Sequence, residues 1–135
     1  MREILFRGKR MDNGEWVTGT PFIFADRCKM IQAVAVHPDF VDEGNVYYSE
    51  GFPVDPETVG QFTGLTDKNG KRIFEGDVVE ISHDAYPGVK GEVFFKNGSF
   101  MLKNVSDVLT LYGFLPWCEV IGNRFDDPEL LEEVK

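Results

Sequence analysis

The sequence predicts a mainly β protein: an N-terminal β subdomain, a C-terminal SH3-like barrel and a short C-terminal helix. Three observations carry that reading. After Gly76 the chain runs through five short apolar segments, DVVEI, VKGEVFF, SFMLK, VLTLYGF and WCEVIG, separated by turn residues. Asn13-Gly14 and Asn97-Gly98 are the pair that hairpin turns favour, because both positions need positive φ. Aromatics make up 13% of the chain, including 12 Phe, beside 14 Gly and 7 Pro; this composition suits a Phe-rich β core and a chain that turns often.

Taken in order, REILFRGK reads as a first strand, MDNGEW as a hairpin turn and EWVTGTPFIF as the returning strand. Pro21 marks an edge or a bend within it, since proline cannot donate to a ladder. KMIQAVAV is short and rich in β-branched and small apolar residues, so it reads as a buried strand. HPDFVDEGNVYYSEGFPVDPE reads as a loop-rich region with one aromatic run, VYY. Asp55-Pro56-Glu57 carries the signature of a helix start, with Asp55 as N-cap and Pro56 at the first helical position; Gly60 limits it to a single turn. GQFTGLT is extended, Asp67-Lys68-Asn69-Gly70 is a tight turn and KRIFEGD returns from it.

The five segments that follow suit a small, strongly bent barrel, with Gly76, Gly91 and Gly113 as bends or bulges at its corners. HDAYPG reads as a longer loop between the first and second strands, and KNGS as the hairpin between the second and third. In the tail, Asp127 is the expected N-cap, Pro128 stands at N1, and Leu130, Leu131 and Val134 form one apolar stripe. The expected divisions are residues 1–65, 66–125 and 126–135.

Charge and cysteine content narrow the function classes. The net charge is −9, and between Met30 and Thr66 there are acids at Asp39, Asp42, Glu43, Glu50, Asp55 and Glu57 but no Lys or Arg. Such a surface repels a phosphate backbone, so a nucleic-acid partner would need a local basic face; the candidate is Arg2, Arg7, Lys9 and Arg10. The 2 Cys, Cys28 and Cys118, have no zinc-ligand spacing and read as reduced, partly buried thiols of a cytoplasmic protein. No apolar run approaches the roughly 20 residues of a membrane span, and the N-terminus lacks the apolar region of a signal peptide.

VDPETVGQFTGLTDKNGKRIFEGDVV, the opening FRGK with its following Trp16, and the closing CEVIGNRFDDPELL together resemble the YopX family of phage and prophage proteins. The resemblance spans nearly the whole chain. It implies a mainly β protein with an SH3-like barrel in the C-terminal half, encoded by phages or prophages of bacteria, and it implies self-association. It brings no catalytic residues. The matching positions are structural: Val54 to Leu65, with Asp55, Pro56 and Gly60 among them; Asp67, Asn69, Gly70, Ile73, Glu75, Gly76 and Asp77; then Glu119 to Asn123 and Pro128 to Leu131.

No constellation of catalytic type stands out. A calcium loop counted from Asp67 fails at its fifth and sixth positions, which are Lys71 and Arg72. His37-Pro38-Asp39 spells the tripeptide of J-domain co-chaperones without their flanking helices. His83 beside Asp84 lacks a nucleophile at local spacing and reads as a surface-loop histidine. Cys118 sits in an apparent strand with no nearby cation, so it reads as buried rather than reactive. Glu75 and Asp77 could hold a metal or a proton, but an acid at a strand start more often accepts backbone N–H bonds and fixes a turn. The sequence therefore predicts a non-enzymatic accessory protein without cofactor or metal, working through contact with a host or phage protein or through homo-oligomerisation in the bacterial cytoplasm. The competing reading is a nucleic-acid-binding or DNA-mimicking module.

Overall fold

The computed structural model describes residues 3–24, 27–36, 47–104 and 107–132. Among these residues eleven strands are formed: β1 (Phe6–Lys9), β2 (Trp16–Phe24), β3 (Arg27–Val36), β4 (Tyr47–Pro53), β5 (Gly60–Thr66), β6 (Arg72–Phe74), β7 (Asp77–His83), β8 (Tyr86–Lys96), β9 (Ser99–Lys103), β10 (Val108–Thr110) and β11 (Cys118–Asn123). The mainly β class is thus observed, and the helical elements among the described residues are short 3-10 turns. The chain divides into two compact units, Glu3–Gln61 and Phe62–Lys135.

In the first unit the strands lie antiparallel in the order β4-β3-β2-β1, and β1 is flanked by the start of β5 through Phe6↔Gln61 and Arg7↔Gly60. β2 pairs β1 through Trp16–Gly19 and then β3 from Thr20 onward, so Pro21 falls where β1 no longer needs its N–H, as an edge proline should. Gly19 is required by packing, since a Cβ there would overlap the Gln32 carbonyl. Ile31 and Val54 are the buried apolar centre, and Gly8 sits with Val54 Cβ only 3.1 Å from where its own Cβ would be. The loop-rich reading of the segment before Val54 missed β4, which pairs with β3 over seven residues from Met30↔Pro53 to Val36↔Tyr47. Residues 37–46, with the His-Pro-Asp tripeptide and the start of VYY, lie outside the described residues.

In the second unit β5 and β6 form a short pair, and β10-β9-β8-β7-β11 form a five-stranded antiparallel sheet. All five expected apolar segments therefore contribute strands. The expected barrel closure is not formed: β10 and β11 are the two edges of an open sheet. The core consists of Ile73, Val79, Ile81, Val93, Leu102, Leu111, Cys118 and Val120. It is aliphatic rather than Phe-rich, because alternate β-branched side chains already fill the inner face of the pleat. Several phenylalanines sit around it: Phe62 and Phe74 pair at 5.5 Å between centroids, and Phe95 meets Phe100 edge-on at 5.0 Å.

Several local expectations need correction. Asn97 and Gly98 do both take positive φ, 54° and 79°, and form the β8–β9 hairpin. At the first hairpin only Gly14 does; the turn is longer, with Arg10 N–H donating to the Glu15 carbonyl and Gly14 N–H to the Arg10 carbonyl. The HDAYPG loop is really the two-residue connection Asp84-Ala85, because Tyr86 and Pro87 already pair with β7. VLTLYGF is strand only as far as Thr110, and Tyr112–Trp117 is a 3-10 segment. Gly113 lies in that segment, and Gly91 pairs with Val79 inside β8, so neither turns a corner; the β8 bulge sits at Gly88, φ 64°. The tail forms a 3-10 turn, Pro128–Leu131, not an α-helix, and the Asp127 carboxylate accepts from Asn123 N–H instead of capping it. Val134 lies outside the described residues.

Candidate functional site

The motif residues identified in the sequence are built into turns. Asp55 accepts a hydrogen bond from Glu57 N–H at 3.1 Å, and Pro56 opens the 3-10 turn Pro56–Thr58. The Thr58 hydroxyl closes that turn on Asp55 and accepts from Lys9 N–H, while Gly60 pairs with Arg7. Gly76 takes φ 89°, with Phe125 3.1 Å from where a Cβ would sit. Asp77 is buried, and its carboxylate accepts from Phe74 N–H at 2.8 Å. The EGD sequence thus turns β6 into β7 by backbone hydrogen bonding, with Asp77 used as a structural acceptor.

Asp67 has the densest role. One carboxylate oxygen accepts from both Asn69 and Lys71 N–H at 2.9 Å, and the other accepts from Val120 N–H at 2.9 Å. Gly70, φ 82°, completes the turn. Burial pushes the Asp67 carboxyl up, but the hydrogen bonds from Val120, Lys71 and Asn69 and the charge of Lys71 outweigh it, so the net shift is downward. Lys68 N–H donates to the Cys118 carbonyl. The DKNGK turn is thereby fastened along the outer edge of β11. Lys71 and Arg72 are exposed on this turn, and among the described residues no cluster of His, Cys, Asp or Glu could hold a metal ion.

Beside the turn lies an open groove of ≈ 530 Å³. One wall is Thr66, Asp67 and Lys68; the other is the 3-10 segment, through Tyr112, Leu115, Pro116 and Trp117. Tyr112 is 75% exposed and Trp117 38%. Trp117 is held edge-on by His83, 4.5 Å between ring centres, and His83 also meets Phe114 at 5.8 Å. His83 is therefore half-buried at the end of β7 in an aromatic cluster, not on a surface loop; its Nδ1 accepts from Ala85 N–H, which leaves that nitrogen engaged by the turn rather than by Asp84. Sequence reasoning missed this groove. Its signal was present in YGFLPW, where three aromatics are punctuated by Gly and Pro at a spacing unsuited to a strand.

Cys118 lies behind the groove, fully buried, its thiol donating to the Phe114 carbonyl. Burial and the nearby Asp67 charge push its pKa up to about 11, which removes it as a nucleophile. In the first unit the basic candidates are partly spent: Arg7 and Lys9 lie 4.6 and 5.7 Å from the centroid of the Trp16 ring, and the Arg10 guanidinium is clipped to Asp12. Arg2 lies outside the described residues. No helix of the described residues is long and apolar enough to cross a membrane.

A family profile described as YopX protein matches residues 5–132. No curated protein matches the chain. Among solved structures, the crystal structure of protein EF1440 from Enterococcus faecalis superimposes with a TM-score of 0.62 at 24% identity, covering 98% of this chain and 100% of that one. That likeness concerns the fold.

Proposed function

From the premise that this chain belongs to the YopX family, we propose that it is a phage- or prophage-encoded accessory protein that works in the bacterial cytoplasm by protein–protein contact through the groove between the Asp67 turn and Tyr112–Trp117. The observation that carries the reading is the exposure of two large aromatic rings, Tyr112 and Trp117, that line one concave surface. Aromatic residues at such positions anchor protein interfaces. The acid that lines the groove serves structure: Asp67 accepts from backbone N–H groups with both oxygens, which supports a binding role over an enzymatic one. The strand order of the five-stranded sheet, with a 3-10 segment before its last strand, supports an SH3-like relationship, but fold alone does not decide function.

The test is a nuclease-treated pull-down from phage-infected cells with the wild-type chain and a Tyr112→Ala/Trp117→Ala variant. A reproducible protein lost only with the variant is the expected result. Equal capture by both removes the groove from the interaction.

Self-association has its own support in the first unit, where Phe22 and Ile23 of β2 are 55% and 61% exposed. Sedimentation velocity should then show a mass that rises with concentration, and a monomer throughout would end that reading. The nucleic-acid reading rests on the Arg7, Lys9 and Trp16 cluster. It requires a salt-dependent shift of single-stranded or duplex DNA that is lost on Arg7→Ala/Lys9→Ala.

A further inference from the structure

We propose that Asn97 is a site of spontaneous self-modification: in the folded protein the Gly98 backbone nitrogen attacks the Asn97 side chain, and the β8–β9 turn is converted to its aspartate and isoaspartate forms. The inference is independent of the groove and rests on a comparison of three turns.

Asparagine followed by glycine is the pair most open to this reaction. Glycine has no Cβ to shield its nitrogen or to restrict the backbone rotation that the attack requires. The chain holds the pair three times, at Asn13-Gly14, Asn69-Gly70 and Asn97-Gly98. The fold separates them by what holds the glycine nitrogen and the asparagine.

At the first pair both partners are tied. Gly14 N–H donates to the Arg10 carbonyl at 3.0 Å, and the Asn13 side-chain oxygen accepts from Glu15 N–H at 2.9 Å. At the second, Gly70 N–H donates to the Asp67 carbonyl at 2.9 Å, and Asn69 N–H donates to the Asp67 carboxylate at 2.9 Å. In both turns the glycine N–H must leave its acceptor before it can swing towards the side chain, so the reaction waits for local opening.

The third pair is held by nothing of the kind. Lys96↔Ser99 closes the ladder, so Asn97 and Gly98 form the whole loop, and both are exposed. Among the described residues none takes a hydrogen bond from Gly98 N–H, and none bonds the Asn97 side chain. Asn97 is also the one non-glycine among the described residues with positive φ, 54°, a conformation that a residue with a Cβ holds at a cost. The turn therefore sets a nitrogen with no competing acceptor beside an untethered amide, on a backbone that gains by rotating.

The reaction needs water and no other reactant. The Gly98 nitrogen forms a bond to Asn97 Cγ as the bond from Cγ to the amide nitrogen breaks. The amide leaves as ammonia with the Gly98 proton, and a five-membered succinimide remains. Water opens the ring at Cγ to give aspartate, or at the main-chain carbonyl to give isoaspartate, whose backbone runs through the side-chain methylene. Either product adds a negative charge. Isoaspartate also lengthens a two-residue turn that sets the register of the neighbouring pair Phe95↔Phe100.

The experiment incubates the full chain in warm, mildly alkaline buffer made with heavy-oxygen water, folded and in guanidinium chloride, and follows each Asn-Gly peptide by mass spectrometry. In the folded chain Asn97 should convert at least roughly tenfold faster than Asn13 or Asn69, each event taking up one solvent oxygen. In guanidinium the three rates should converge, because the difference belongs to the fold. Asn97→Gly, which the positive φ accepts, should abolish the acidic species that ion exchange separates from the aged protein. First conversion at Asn13 or Asn69, or equal rates at all three in the folded chain, would overturn the inference. So would an Asn97 that reacts when unfolded but not when folded, since the hairpin would then protect it. Persistence of the same acidic species in Asn97→Gly would overturn it too.

Discussion

The Asp67 carboxylate accepts a hydrogen bond from Val120 N–H at 2.9 Å, joining residues separated by 53 positions in the chain. One acid in a tight turn thereby fixes that turn to the edge of the five-stranded sheet and sets one wall of the groove.

Asp67→Ala leaves three backbone N–H groups without their acceptor, the Val120 one beside the core. It should lower stability by about 2–3 kcal/mol in urea denaturation. Asp67→Asn keeps one carbonyl oxygen and should lose less. A loss within error for Asp67→Ala would mean that water replaces the carboxylate.

The same group should shape acid stability. Its folded pKa is depressed, while the unfolded carboxyl titrates near about 3.9. Its contribution is therefore present in full above that value and is lost as pH falls through the lowered folded value. The difference in urea midpoint between wild type and Asp67→Asn should narrow below about pH 4. A gap that stays constant on acidification would show that folding leaves the Asp67 pKa unshifted.

Gly76→Ala forces a side chain into the left-handed region and towards Phe125, so it should cost at least about 1–2 kcal/mol. Asp77→Ala removes the carboxylate that accepts from Phe74 N–H and should cost a similar amount, about 1–2 kcal/mol. Thermal melts of the single variants check both. Neutral substitutions at these two positions would mean that EGD has a purpose other than turning the chain.

Cys118 should resist thiol reagents in the folded state. Half-buried Cys28, whose pKa burial also raises, should react slowly but first, and unfolding should release the second thiol. Because the Cys118 pKa is raised to about 11, its protonated form is favoured by the fold. Stability should then fall as pH rises past the unfolded thiol's value of about 8.5, and Cys118→Ala should flatten that decline. Rapid modification of both thiols in the native protein would contradict the buried placement.

The elements set by local chemistry were legible in the sequence. Asn97-Gly98, Asp55-Pro56 and Asp67 to Gly70 each contain the donor, acceptor or φ freedom that their turn uses, within a few residues. The misreadings arise where several local acceptors compete for one turn or where packing between distant segments decides. Asn13 keeps negative φ because Arg10, Asp12 and Glu15 organise a longer turn. Asp127 is drawn off the tail's N-cap by Asn123. VLTLYGF is broken after Thr110 as Leu111 drops into the core and Tyr112 is left outside, a choice that only the packed sheet can make. The groove was hidden for that reason: one wall comes from Thr66–Lys68 and the other from residues more than forty positions later.

The place of β7 bears on how the protein is made. It pairs with β8 across two residues, but its other neighbour, β11, begins only at Cys118. During translation the β7–β8–β9 hairpins can form early, while Val79 and Ile81 still lack the strand that completes their sheet. Until the ribosome has delivered residues 118–123, one margin of β7 stays open and Asp67 has no Val120 to hold. A nascent chain arrested within that interval is the form that chaperones would be expected to meet.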